Sequence, residues 1–384
     1  MENIEDELVE FAKFRPITLI LPSLFSELKG PALPKIVQEI SKVRYINHIV
    51  IGLDKADQKE FHEAKKFFSE LPQKHEILWN DGPNLKSLDK MLAKQNLAPQ
   101  ELGKGRNVWY CMGYILSVGK AEAVALHDCD IVTYSRSLLA RLVYPVANPK
   151  FNFDFCKGYY PRVSENKVKG RVARLLVTPL LRALEKTIGF NEFISFVDSF
   201  RYPLAGEFSF RRRVLKDIRI PYDWGLEIGV LSEMYRNYAG NRLCQVDIAD
   251  NYDHKHQDIF FNDNSKGLSK MSVDIIKVII RKLASQGEPF SMSIFRSLKA
   301  TYYREALDFV QIYKKDALMN AYDIDVHEEE TAVELFAKNI MVAGQTFLDS
   351  PMESPNIPTW SRVDTALPGF LNDLRKAVEL DNKS

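Results

Sequence analysis

The stretch "AVALHDCDIV" at residues 123–132 runs apolar through Leu126 and then sets Asp128 and Asp130 one residue apart. Two carboxylates at that spacing can hold a hard divalent cation, Mg²⁺ or Mn²⁺, and still leave coordination positions for the oxygens of a nucleoside diphosphate. A cation placed there neutralises charge on a departing diphosphate. A single Asp commonly caps a turn, so the weight lies on the pair and on its place directly after an apolar strand. Further on, "DNYDHKHQD" (250–258) offers His254 and His256 as additional ligands. In "LGKGRNVW" (102–109) Lys104 stands between two glycines at a predicted helix start, which suits an anion, although the GxxxxGK[ST] spacing of a phosphate loop is absent. Cations gather in "FCKGYYPR" (155–162) and "NKVKGRVAR" (166–174), where Lys157, Arg162, Arg171 and Arg174 could clamp the phosphate and carboxylate oxygens of a small acid. Glu207 and Glu227 each lie close to a glycine, so backbone can approach a ligand while the carboxylate accepts from sugar hydroxyls.

These groups need a scaffold that brings them together. Ile17–Leu21, bracketed by Pro16 and Pro22, is a short apolar run that reads as a strand buried on both faces. Leu33, Ile36, Val37 and Ile40 then follow at helical spacing. HIVIGLD (48–54), EILW (76–79) and AVALH (123–127) repeat the strand pattern with helical stretches between them, which predicts parallel βαβ units with right-handed crossovers. Ligands of such sheets sit outside the carboxyl ends of the strands. Asp54, Asp128, Asp130 and Pro22–Ser26 should therefore share one edge. Beyond residue 165 the pattern turns helical: GRVARLLVTPLLRALEK (170–186) with a kink expected at Pro179, LEIGVLSEMY (226–235), and three apolar stripes after residue 270. A Pro-rich break at 350–360 precedes one last short helix.

The chain has 384 residues, 46% of them hydrophobic, enough to bury a large core. Lys+Arg (52) and Asp+Glu (51) nearly cancel, which argues against a nucleic-acid partner and makes any anion site a local one. Four scattered cysteines without a CxxC pair, and an acidic start MENIEDELVEFAKF, point to a reducing cytoplasm. No apolar run approaches the ~18 residues of a membrane span.

Taken in order, LPSL (21–24), GKGRNVW (103–109), HDCDI (127–131), KGYYPR (157–162), KGRVARLLVTPLLRAL (169–184), PLAGEF (203–208), WGLEIGVL (224–231) and QVDIADNYDHKHQ (245–257) resemble a family: the retaining glucosyl-3-phosphoglycerate synthases and their mannosyl relatives. The resemblance implies an α/β fold of GT-A type, a Rossmann-like, mostly parallel sheet flanked by helices, with a C-terminal helical region. It divides the chain into a nucleotide-sugar-binding half (1–160), an acceptor-binding part (161–265) and a helical accessory region (266–384). It implies transfer of a hexose from UDP-glucose, ADP-glucose, GDP-glucose or GDP-mannose to the 2-hydroxyl of D-3-phosphoglycerate, with a divalent metal and a homodimeric assembly. By position, Asp130 and His254 resemble the metal ligands, with Asp128 beside them holding the donor. Pro22, Ser23 and Leu24 line the base pocket, Lys104 approaches the donor, and Glu227 orients the transferring sugar. Gly170, Arg171 and Gly206 would lie at the acceptor. Where the family reads Pro-Ala-Leu-Asn-Glu this chain has Pro-Ser-Leu-Phe-Ser-Glu, so its base-contacting glutamate either becomes Glu27 or is lost. His256 replaces a frequent asparagine at an acceptor contact. A nucleotidyltransferase on a similar sheet is the rival enzyme class, but LPSLFSELKG lacks its Gly-rich signature; a non-catalytic sugar-binding module is the third reading.

Overall fold

Strand β1 (Ile17–Leu24) sends Ile17, Leu19 and Leu21 into one apolar layer and Ile20 into another, the period-two alternation of a strand covered on both faces. The computed structural model, which describes residues 2–253, 267–353 and 355–383, repeats this in β2 (Ile46–Asp54), where Ile49, Ile51 and Leu53 oppose Val50, and in β4 (Ala123–Leu126). With β3 (His75–Trp79), β5 (Phe155–Tyr159), β8 (Phe208–Arg211) and β9 (Leu243–Asp247) they form a seven-stranded sheet of order β3-β2-β1-β4-β8-β5-β9. A short ribbon, β6 (Val163–Ser164) with β7 (Lys167–Val168), lies outside it. Six strands of the sheet run parallel and β8 runs against them.

Helices α1 (Glu2–Phe14), α2 (Ala32–Ser41), α3 (Gln58–Phe68) and α6 (Arg136–Ala147) cover one face. Helices α4 (Pro83–Lys94), α5 (Lys104–Val118), α9 (Leu226–Asn237), α13 (Trp360–Ala366) and α14 (Phe370–Lys383) cover the other. A third core belongs to helices alone: α7 (Thr178–Ile188), α8 (Glu192–Asp198), α10 (Gly267–Ser285), α11 (Met292–Met319) and α12 (Val326–Asp349).

Three local readings are corrected. β1 does not stop at Pro22 but continues to Leu24; β4 ends opposite Ile20, so beyond that point β1 has a ladder on one side only, where proline is tolerated. The irregularity in the 170–186 helix lies in the turn before Pro179 rather than at it: residues 172–177 are π-helical and run on into α7, Thr178 N donating to Ala173 O, which is where the ladder adapts to a proline that has no N–H to give. The last short helix is two, α13 and α14, divided at Gly369 with φ of +88°.

Register sets the functional edge. Leu126 ends β4 level with Ile20 and with Phe208 at the start of β8. The residues leaving β4, His127–Asp130, and those entering the reversed β8, Gly206 and Glu207, therefore meet beside Leu21–Leu24. Helix α5 is fixed at this edge from the C-terminus: the Trp109 and Trp360 rings stack at 3.9 Å, Trp360 Nε1 donates to Trp109 O (3.0 Å), and Trp109 Nε1 donates to Pro358 O (2.9 Å). Trp360→Ala is expected to destabilise the fold by about 3–5 kcal/mol, read as a lower urea midpoint at unchanged m-value.

Candidate active site

Lys104 is the first residue of α5, and its ammonium lies 2.6 Å from Asp128 Oδ1 and 3.1 Å from Glu227 Oε1. Three elements meet in that contact: the start of α5, the end of β4 and the first turn of α9. The glycines around Lys104 are explained by packing. A Cβ on Gly103 would fall 2.3 Å from Tyr222 O and one on Gly105 1.8 Å from Pro221 O, so only glycine lets α5 start against the chain that leads into α9. Gly206 belongs to the same cluster, because a Cβ there would fall 2.5 Å from Asp128 Oδ2 and 2.9 Å from Lys104 Nζ. Burial alone would lower the Lys104 pKa; the carboxylates of Asp128 and Glu227 more than offset it and raise the pKa well above the ordinary value.

Asp130 lies deeper. Burial, then the Asp128 carboxylate, pushes its pKa up to about 7, with Glu27 and Glu207 adding to the rise and Lys104 opposing it. Its Oδ1 is buried and has no hydrogen-bond partner among the described residues. A buried carboxylate oxygen without a donor, facing other carboxylates, suits a hard divalent cation. Among the described residues no three Asp, Glu, His or Cys side chains close such a site by themselves. His254 and His256 lie outside the described residues. His127 is not available as a ligand: Nδ1 donates to Asp128 O (3.1 Å), Nε2 accepts from the Tyr134 hydroxyl (3.0 Å), and burial lowers its pKa to about 4, keeping it neutral.

The other edge residues divide into sealed and open groups. Glu207 is fully buried, and its two oxygens accept from the Tyr252 (2.6 Å) and Tyr160 (2.7 Å) hydroxyls, whose rings stack at 3.6 Å. Burial and Asp128 raise its pKa, and the two phenols oppose the rise. Asp54 is likewise engaged, accepting from Asn80 Nδ2 (2.8 Å) and Asn107 Nδ2 (3.0 Å) and so tying β2 to α5. Pro22 and Leu24 are open to solvent at the end of β1, with Ser23 buried beside Cys129.

Gly170 and Arg171 lie apart from this cluster, on the wall of a cavity of about 1120 Å³ that Arg162, Lys167, Lys169 and Arg174 also line. One loop links the two regions: Tyr202 and Leu204 face the cavity, and Gly206 abuts Asp128 and Lys104. Motif spacing missed the tyrosine pair of the site. Tyr160 and Tyr252 stand 92 positions apart in the sequence and meet only through folding. Lys157 is buried with its ammonium on Ala205 O (2.5 Å), and burial lowers its pKa to about 8.

A mostly parallel seven-stranded sheet with one reversed strand, flanked by helices and followed by a helical region, is the fold of the GT-A glycosyltransferases. No protein-family model matches the chain. It is 46% identical over 382 residues to glucosyl-3-phosphoglycerate synthase of Persephonella marina, covering 100% of this chain and 94% of that protein. It is 36% identical over 373 residues to the enzyme of the same name from Methanococcoides burtonii, covering 96% and 91%. The chain belongs to the glucosyl-3-phosphoglycerate synthase family. The fold is shared with the Mycobacterium tuberculosis glucosyl-3-phosphoglycerate synthase solved with Mn²⁺, UDP and glucosyl-3-phosphoglycerate, at 19% identity and a TM-score of 0.52 over 75% of this chain and 85% of that one.

Gly206→Ala is expected to lower transferase activity by about 10²-fold, because a methyl group would push Lys104 and Asp128 off their contact. Circular dichroism and Tm close to wild type in the same preparation check that the loss is local.

Proposed function

We propose that the chain transfers glucose from a nucleoside diphosphate glucose to the 2-hydroxyl of D-3-phosphoglycerate and retains the anomeric configuration. The observation that carries this reading is the loop 202–206, which joins an acidic, lysine-bridged edge to a cavity lined with arginine and lysine. An anionic acceptor and a diphosphate-linked sugar need those two environments side by side. The mycobacterial relative that holds Mn²⁺, UDP and product in the same fold supports the pairing of metal and nucleotide.

Asp130, with Asp128 beside it and His254 from outside the described residues, would hold the divalent cation. When bound, the cation stabilises charge on the departing diphosphate. Pro22, Ser23 and Leu24 border the base, and Glu27 acts on the Asp130 carboxyl from the turn after β1. Lys104 keeps a fixed positive charge next to the diphosphate, and Glu227, held by Lys104, accepts from hydroxyls of the transferring sugar. Arg171 receives the acid. Glu207 offers no nucleophile, since both its oxygens are bonded to phenols in a sealed pocket. Transfer on one face follows: the acceptor 2-hydroxyl oxygen bonds to the anomeric carbon, the bond from that carbon to the diphosphate oxygen breaks, and that oxygen takes the hydroxyl proton.

A homodimer is part of this reading, supported by Ile312, Leu318 and Met319 exposed near one end of α11. A cytoplasmic location is supported by Cys156 and Cys244, in-register neighbours on β5 and β9 that are both free thiols. Among the described residues no helix is long and apolar enough to cross a membrane.

The test is incubation with D-3-phosphoglycerate, Mg²⁺ or Mn²⁺, and UDP-, ADP- or GDP-glucose or GDP-mannose in turn, scoring nucleoside diphosphate release and product mass. A hexosyl-phosphoglycerate that disappears with EDTA and falls by about 10²-fold or more in Asp130→Ala is the expected result. Slow donor hydrolysis without that product would remove phosphoglycerate as the acceptor, and a glycosyl adduct on Glu207 or Glu227 would overturn the one-face transfer.

A further inference from the structure

The cationic cavity is completed from a distant part of the chain. Asp325 caps α12 by accepting from Glu328 N (3.0 Å), and the first turn of that helix lays Glu328 and Glu329 against Arg171 and Arg174, more than 150 positions earlier in the sequence. The two glutamates sit in different environments. Glu329 is buried; its Oε1 accepts from Arg171 Nε (3.2 Å) and Arg174 Nη2 (3.2 Å), and its Oε2 from Arg174 Nη1 (2.8 Å). Glu328 has a side chain 53% exposed and takes Arg171 Nη2 at 3.0 Å.

The arginines differ in the same way. Arg174 is fully engaged, since its Nε also donates to Lys169 O (2.9 Å) and its guanidinium lies 4.6 Å from the Tyr313 ring centroid. Arg171 has its inner edge on Glu329 and its outer nitrogen on the exposed Glu328. Beside it, Lys167 and Lys169 are in no ion pair among the described residues, and Gly170 turns between them and Arg171 with φ of +75°. The remaining acids on the wall are used locally, Asp325 as the helix cap and Asp323 with Asn166 (3.4 Å). An anion entering the cavity therefore finds one cation whose outward face is covered by a carboxylate that solvent can reach.

We propose that Glu328 occupies, in the free protein, the place on Arg171 that an oxygen of the acidic acceptor takes, and that Glu329 is the positioning residue that keeps Arg171 aimed into the cavity once Glu328 is displaced. The inference rests on the reading that this cavity receives phosphoglycerate. Half-exposed ion pairs are weak, so an acid bearing both phosphate and carboxylate can displace one glutamate at a modest cost in affinity. Glu329 cannot leave in the same way, because departure would strand two buried arginine edges.

Initial rates with wild type, Glu328→Gln and Glu329→Gln decide it. Glu328→Gln is expected to lower the KM for D-3-phosphoglycerate by about two- to fivefold, with kcat and the donor KM within about twofold of wild type. Glu329→Gln is expected to raise the acceptor KM by about tenfold or more at an unchanged donor KM, and Glu329→Asp to recover part of the loss. An acceptor KM that is unchanged or raised in Glu328→Gln, while wild type makes product, overturns this inference alone. Absence of a hexosyl-phosphoglycerate from wild type overturns the acceptor reading and this assignment with it.

Discussion

Lys104 lies with Asp128 on one side and Glu227 on the other, and the rest of the edge is arranged around that ammonium. Parallel strands deliver their carboxyl ends to one place, and here those ends carry acids: Asp54, Asp128 and Asp130, joined by Glu207 from the reversed β8. Burial first, and then repulsion from the neighbouring Asp128 carboxylate, pushes the Asp130 pKa up to about 7. The Lys104 ammonium among them offsets that repulsion, and its position requires α5 to begin where it does. The glycines flanking it, the backbone of Pro221 and Tyr222 beneath it, and Gly206 against its tip are all consequences of seating one lysine.

The same electrostatic logic divides the acids by task. Glu207 has both oxygens bonded to two stacked tyrosines, so its acceptors are already used inside the protein. Asp54 has its oxygens on two asparagines and joins a strand to a helix. Asp130, with an oxygen that nothing in the described chain satisfies, is the acid whose environment asks for a ligand. Three carboxylates near one edge thus have three fates, decided by which donors surround them.

Much of the scaffold was legible because its signals are local. Continuous apolar runs at Ile17–Leu21 and in HIVIGLD (48–54), helical stripes between them, and the rule that ligands gather at strand carboxyl ends were enough to bring Asp54, Asp128 and Asp130 to one edge. What escaped the reading depends on contacts between distant residues. Nothing in GRVAR announces that Arg171 and Arg174 will meet Glu328 and Glu329, and nothing in the two tyrosines announces a shared glutamate. Pro22 misled for a related reason: proline's local rule holds, but whether an N–H is needed depends on where a neighbouring strand ends.

The stacked indoles of Trp109 and Trp360 join α5 to a segment about 250 residues further along the chain, and Tyr222 N reaches Pro355 O (3.0 Å) in the same region. Proteins are made from one end, so a nascent chain that has already emitted every acid of the edge still lacks the cover for the helix that carries Lys104. Sheet and edge can assemble early, but the lysine's helix finds its partner only once residues 355–360 have been made. A chain cut before Pro355 would keep every acid of the edge in its sequence and lose the indole that covers the helix carrying Lys104.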